Sequence, residues 1–223
     1  LMPWQHSGVQ LKRTWPIGPD IETLQRRWQG LLNAQDRAKA FRETGDRKID
    51  RTYQVDFPES SGSTPIAKLS KDTPMPKARR YAYRSFDRQW IIADGRLMSR
   101  RRSVLWRAYS EQQIYLSTTF QRPLDLGPAL TCAAFVPDLN HFCNRGAKDT
   151  IPLYRTADTS EANILPDLLD LLGKTYRRPV TPKDFVAYVY GMLAQPAFTK
   201  LFFEELETRE LRVPITKDPA LFE

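Results

Sequence analysis

Between Arg88 and Val136 the chain carries four short β-rich runs: RQWIIAD (88–94), SVLWRAY (103–109), QQIYLSTT (112–119) and ALTCAAFV (129–136). Turns separate them at intervals of roughly ten residues, the spacing of consecutive short strands. The gaps are too short to hold a helical crossover, so the spacing predicts a mostly antiparallel sheet. A fifth run, TIPLYR (150–155), continues the series.

Helical patterns flank this middle region. Asp20 can cap a helix whose first turn carries Glu22 and whose apolar positions are Leu24, Trp28, Leu31 and Leu32; the pattern can continue as far as Gly45. From Phe57 to Lys77 the composition shifts to Pro, Ser and Thr, which predicts an irregular connection with at most a short strand. After residue 160, EANILPDLLDLLG predicts a short helix ending at Gly173. A second helix is announced by Thr181 as N-cap, Pro182 at the first helical position and Asp184 in the first turn. Pro196 opens a third, with Phe198, Leu201, Phe202 and Leu206 on its apolar side. The fold class expected is α+β, with an N-terminal connection and helix (1–50), a sheet-containing core (51–160) and a C-terminal helical unit (161–223), together one compact domain.

Charge is distributed unevenly. The chain has 34 Lys and Arg against 26 Asp and Glu, a formal net charge of +8. The window from Pro76 to Tyr109 holds ten basic residues (Lys77, Arg79, Arg80, Arg84, Arg88, Arg96, Arg100, Arg101, Arg102 and Arg107) and two acids, Asp87 and Asp94. That window alone nets +8, so the remainder is neutral overall. A neutral body with one cationic segment points to a localised anionic partner, of which nucleic acid is the commonest. Nine of the ten are arginine, whose planar fork suits phosphate and guanine, and rings interleave with them at Tyr81, Tyr83, Phe86, Trp90, Trp106 and Tyr109. Trp90, Ile92 and Trp106 are assigned to the core rather than to a ligand, and Asp87 to a structural pairing with Arg84 or Arg88 at the turn.

Catalytic chemistry finds little support. Histidine occurs only at His6 and His141, and no phosphate-binding GxxxxGK[ST] loop or GxGxxG fingerprint is present. His141 and Cys143, even with Cys132, lack the ligand count and spacing of a zinc site. No catalytic residue and no metal ligand is assigned. No apolar run approaches the roughly 18 residues of a membrane helix. Two cysteines and the absence of a secretory leader pattern set a cytoplasmic expectation, and the initial Leu reads as the start of a piece of a longer polypeptide.

The segment YRSFDRQWIIADGRL, continuing to RRRSVLWRA, resembles the Tyr-Arg-Pro-Phe-Asp region that lies beyond the catalytic core of large adenine-specific DNA methyltransferases. The similarity is closest to the C-terminal specificity region of type ISP enzymes, the single-polypeptide restriction-modification proteins. It extends to PWQHSGVQLKRTWPI, FVPDLNHFCNRGAKDTIPLYR and ILPDLLDLLGKTYRRPVTPKDFVAYVYGMLAQPAF…RVPITKDP, four collinear segments covering nearly all of the chain. Ser85 stands where the family favours Pro, and Ala147 where a second Gly is common.

The resemblance implies a parent that is an adenine-specific DNA methyltransferase and ATP-dependent restriction endonuclease, using S-adenosylmethionine, ATP and magnesium held outside these residues. It implies no enzyme activity for this piece alone. The partners it implies are double-stranded DNA and the methyltransferase and motor domains of the same polypeptide. The expected task is to read a target sequence and place its adenine for methylation, by phosphate contacts and base-edge readout. A coupling module between motor and methyltransferase, without base reading, is the alternative. Candidate DNA contacts are Arg84, Arg88, Arg96, Arg100, Arg101, Arg102 and Arg107, with Asn144, Arg145 and Lys148 in the NRGAKD loop and Arg177 and Arg178 as a further patch. Asn144, Gln112 and Gln113 are candidate adenine readers.

Overall fold

The computed structural model describes residues 1–52, 64–118, 127–142, 149–206 and 212–222. Strand β1 (Ile17–Gly18) leads into helix α1 (Ile21–Asn33), and α2 (Arg37–Phe41) follows. Asp20 caps α1 by accepting a hydrogen bond from the Thr23 N–H, while Leu24, Trp28, Leu31 and Leu32 form its buried stripe, in agreement with the sequence pattern. The helix does not continue to Gly45. It stops at Asn33, and Asp36 caps the separate α2 through the Lys39 N–H.

Strands β2 (Ala78–Arg84) and β3 (Asp87–Ile92) form a tight antiparallel hairpin, and β1 pairs with the outer edge of β3. The strand expected over 103–109 is instead a helix, α3 (Ser103–Arg107). Val104 and Trp106 alternate as a strand would, yet Leu105, Trp106 and Ala108 are the buried positions, an i, i+1, i+3 set that lies on one helical face. A second antiparallel sheet follows: β4 (Tyr115–Thr118) in the centre, flanked by β5 (Leu130–Ala133) and β6 (Asp149–Pro152). The expected antiparallel sheet is therefore two three-stranded sheets, and the α+β class holds.

Alternation within the strands sets the layer order. In the first sheet, Ile17, Tyr81 and Ile91 face a middle core shared with Leu105, Trp106, Tyr115 and Val136, whereas Ile92 and Trp90 face the core under α1 and α2. On β4, Tyr115 faces the middle core, while Leu116 faces the core shared with the C-terminal helices. Neighbouring residues of a strand point to opposite faces, so one strand serves two cores.

The C-terminal unit comprises α4 (Leu168–Tyr176), α5 (Pro182–Ala194), α6 (Pro196–Leu201), α7 (Phe203–Leu206) and α8 (Pro219–Phe222). At α5, Thr181 and Asp184 form a reciprocal capping box with Pro182 at the first position, as the sequence indicated. Gly173 does not end α4; Arg177, in the left-handed region at φ 55°, does.

The segment from His6 to Gln10 stitches the layers together. His6 exchanges backbone hydrogen bonds with Thr150, Val9 bonds Pro137 and Leu139, and Gln10 bonds Arg100 in both directions. Gly8 is required for this approach, because a Cβ there would lie 2.6 Å from the Asp138 carbonyl oxygen.

Candidate nucleic-acid interface

The candidate arginines do not share one environment. Arg96 is 4% exposed and its partner Asp94 is fully buried. Asp94 caps a short 3-10 turn by accepting from the Arg96 N–H at 2.8 Å, and the Arg96 guanidinium returns to the same carboxylate through Nε (3.0 Å) and Nη2 (2.7 Å). Its Nη1 donates to the Thr64 carbonyl. All three nitrogens of this buried guanidinium bond within the fold, so the assignment of Arg96 to DNA contact is corrected: it is a structural arginine.

Two arginines outside the basic window hold the segment that follows. Arg13 and Arg47 are 5% and 7% exposed. Arg13 donates to the Leu97 carbonyl; Arg47 donates to the Met98 carbonyl and, at 3.1 Å, to that of Ser99. Three successive carbonyls leading into Arg100 are thereby fixed by buried guanidinium groups. Fixed forks of this kind hold a backbone more rigidly than a lysine could.

Beyond this brace, Arg100 is exposed, Arg101 and Arg102 are half-buried, and Arg107 is exposed on α3. Arg102 occupies the left-handed region at φ 51° and precedes α3, and the indole N–H of Trp106 closes the turn onto the Arg101 carbonyl at 3.0 Å. Burial and the charge of Arg100 depress the proton affinity of the Arg102 guanidinium. His6 is lowered as well, first by burial and then by Arg102, which places that charge beside the stitching segment. Among the described residues His6 Nε2, Ser7 Oγ and Arg102 Nε have no hydrogen-bond partner. Exposed Asp46 is held below its ordinary value, first by the hydrogen bond from Lys12 and then by that lysine's charge, with Arg47 and Arg100 contributing. Lys12 and Arg100 thus gather around Asp46, with Arg102 near Arg100, in a predominantly cationic surface drawn from distant segments. Sequence reasoning missed Lys12, Arg13 and Arg47, although the Lys12-Arg13 pair stands in a segment that carries the family resemblance.

The β2–β3 hairpin carries the other surface arginines. Arg84 stacks over the Tyr83 ring at 3.9 Å and pairs with Asp138 at 2.8 Å. The expected pairing with Asp87 does not occur, since Asp87 accepts from the Gln89 side chain instead. Asp138 also accepts from the Tyr81 hydroxyl at 2.7 Å; burial raises its proton affinity against the opposing pull of these bonds. Arg88 is exposed, opposite Ala82 on the α1-facing side of the sheet, and its charge reaches the Cys132 thiol of β5. The single basic block of the sequence is therefore divided between two surfaces and an interior.

The remaining candidates separate further. Gln113 is 1% exposed, donating to the Ala108 and Tyr154 carbonyls and accepting from the Tyr154 N–H, so its assignment as an adenine reader is corrected to a backbone clamp; Gln112 is exposed. Asn144, Arg145 and Lys148, with Cys143, lie outside the described residues. Arg177 is exposed and Arg178 half-buried at the α4–α5 turn, the latter 6.0 Å from the Phe222 ring centre. His141 is buried against the Ala82 carbonyl, with its pKa lowered to about 4 by burial, and is not a surface ligand.

A family model described as the Type ISP C-terminal specificity domain matches residues 1–223, the whole chain. The chain belongs to this family. No curated protein matches it. Among solved structures, the specificity domain is similar to a chain of the DrdV–DNA complex (17% identity, TM-score 0.62, covering 98% of this chain and 22% of that one). It is similar also to the ATP-dependent Type ISP restriction-modification enzyme LlaBIII bound to DNA (15% identity, TM-score 0.61, 98% and 14%). A third similarity is to a nuclease-deletion mutant of the Type ISP enzyme LlaGI in complex with a DNA substrate mimic (13% identity, TM-score 0.60, 100% and 21%). At these identities the likeness is one of fold. The specificity domain spans about a fifth or less of the length of the solved chains it resembles.

Proposed function

We propose that this specificity domain recognises a target sequence in double-stranded DNA, places an adenine for methylation and directs ATP-dependent restriction within a longer polypeptide. The observation that carries the reading is the Arg100–Arg102 turn, presented at the surface by two buried arginines that fix its approach. A cationic turn fixed in this way costs little to order when it meets phosphates. The three solved relatives described above are DNA complexes, which supports the same partner.

S-adenosylmethionine, ATP and magnesium belong, in this proposal, to other parts of the polypeptide. Among the described residues no helix is long and apolar enough to cross a membrane.

Binding to duplex DNA measured against salt tests the partner. The expected result is an affinity that falls linearly in log–log form, with a slope that counts the phosphates engaged. Absence of binding even at low ionic strength would leave the coupling-module reading in its place. Exchange of this domain into a related enzyme tests specificity; the methylated sequence should move with the domain, and an unmoved site defeats the recognition claim.

A further inference from the structure

The β2–β3 hairpin ends in a side chain with no internal role. Phe86 is fully exposed (102%) and lies in the left-handed region at φ 65°. A bulky residue is unfavourable there, where Gly, Asn or Asp is tolerated. The exposed ring, in turn, forgoes the stabilisation that burial of a Phe side chain would supply. A turn that served only to reverse the chain would carry neither feature.

The surroundings are as ordered as the ring is unsupported. Ser85 donates from both its N–H (2.7 Å) and its hydroxyl (2.9 Å) to the His141 carbonyl. Arg84 is pinned to Asp138, and Gln89 donates to Asp87 on the returning strand. Arg88 projects from that strand, exposed. The tip is therefore a braced two-stranded ribbon with a bare ring at its apex and a free-standing guanidinium two residues away. A two-stranded ribbon fits the major groove, where apolar side chains pack on thymine methyl groups; from the minor groove, apolar side chains wedge between base steps.

We propose that the hairpin tip enters a groove of duplex DNA and that Phe86 packs its ring on the bases there, with Arg88 on a flanking phosphate. This rests on the DNA-recognition reading and gives it a specific apolar contact that no arginine supplies. A strained residue held at a braced tip is one of the places where backbone outliers serve contact.

The test uses the intact polypeptide that carries this domain. Duplexes with a randomised core are selected with the wild-type protein, and the selected duplex is the probe for three variants. Phe86→Asn keeps a residue suited to the left-handed region; its melting temperature should equal or exceed wild type, while affinity falls about tenfold or more. Its salt slope should be unchanged, because no phosphate contact is lost, whereas Arg88→Ala should lower the slope by about one. Phe86→Trp should restore affinity, and the emission it adds should be quenched by the duplex. Wild-type affinity in Phe86→Asn overturns the inference and leaves DNA recognition standing. Added emission in Phe86→Trp that is shielded before DNA is present and unmoved by it overturns the inference in favour of a pocket elsewhere in the polypeptide. If wild type selects no duplex at all, the DNA reading itself fails and takes this inference with it.

Discussion

Arg96 and Arg100 stand four residues apart and belong to opposite parts of the molecule. Arg96 is sealed onto Asp94 beneath the surface; Arg100 is exposed beside Lys12 and Arg102. The difference shows that arginine density locates a cationic region without saying which side chains form its surface. The interior arginines are not idle members of the set. Arg13 and Arg47 bind the carbonyls of residues 97–99, so the exposed turn is only as ordered as the buried guanidinium groups beneath it. An arginine can do this because its fork is planar, permanently charged and more weakly hydrated than an ammonium.

The sharpest way to break this comparison is Arg96→Met. Removing one member of a buried pair leaves the Asp94 carboxylate without its counter-charge, at a cost of roughly 3–5 kcal/mol in folding stability. Urea denaturation reads it, with the midpoint falling and the slope unchanged. Replacing Asp94 and Arg96 together by apolar residues of similar volume should recover much of the loss, since an intact buried pair stabilises little beyond its isosteres. A stable Arg96→Met variant with weakened DNA binding would move Arg96 back to the surface group.

Arg47→Ala probes the link between interior and surface. Hydrogen bonds from a charged donor contribute about 1.5–3 kcal/mol, so this variant should lose stability in that range. It should also lose DNA affinity, because the turn bearing Arg100 and Arg102 loosens. The salt slope separates the two effects: it should fall by less than one, as Arg47 itself meets no phosphate. Unchanged affinity would uncouple the brace from the turn.

Much of the fold was legible where the sequence states its own boundaries. Asp20 before α1 and Thr181-Pro182-Asp184 before α5 are local signals, and both act as local geometry requires. The run at 103–109 was not legible, because five residues satisfy a strand period and a helical face equally well. β2 was obscured by its own charge. Arg79 and Arg80 look foreign to a strand, yet their guanidinium groups lie 5.8 Å from the Tyr109 ring centre and 4.3 Å from that of Trp90, with their stems along the sheet. The interface was half legible for a related reason. A count of charges is a local property, whereas the partners of Arg13, Arg47 and Arg84 lie 84, 51 and 54 residues away and exist only in the folded chain. Gln113 shows the same limit, since its role depends on Tyr154, 41 residues on.

The smallest expected effect tests the division of the surface itself. Arg88 lies toward Cys132 of β5, while Arg100 lies toward Gln10, Asp46 and Arg102. If each meets its own phosphate, Arg88→Ala and Arg100→Ala should each lower the salt slope by about one and leave the melting temperature unchanged. Their double variant should then be additive to within about 0.5 kcal/mol of binding free energy, as for sites without shared partners. Arg100→Ala and Arg102→Ala should not add in this way, because the charge of Arg100 already weakens the hold of Arg102 on its proton, and removing Arg100 relieves that neighbour. Additivity in the first pair and its failure in the second describe two contact surfaces on the duplex. Strong coupling between Arg88 and Arg100 would instead mean that a single phosphate is shared between surfaces that the fold keeps apart, and the separation of hairpin and turn would have to be abandoned.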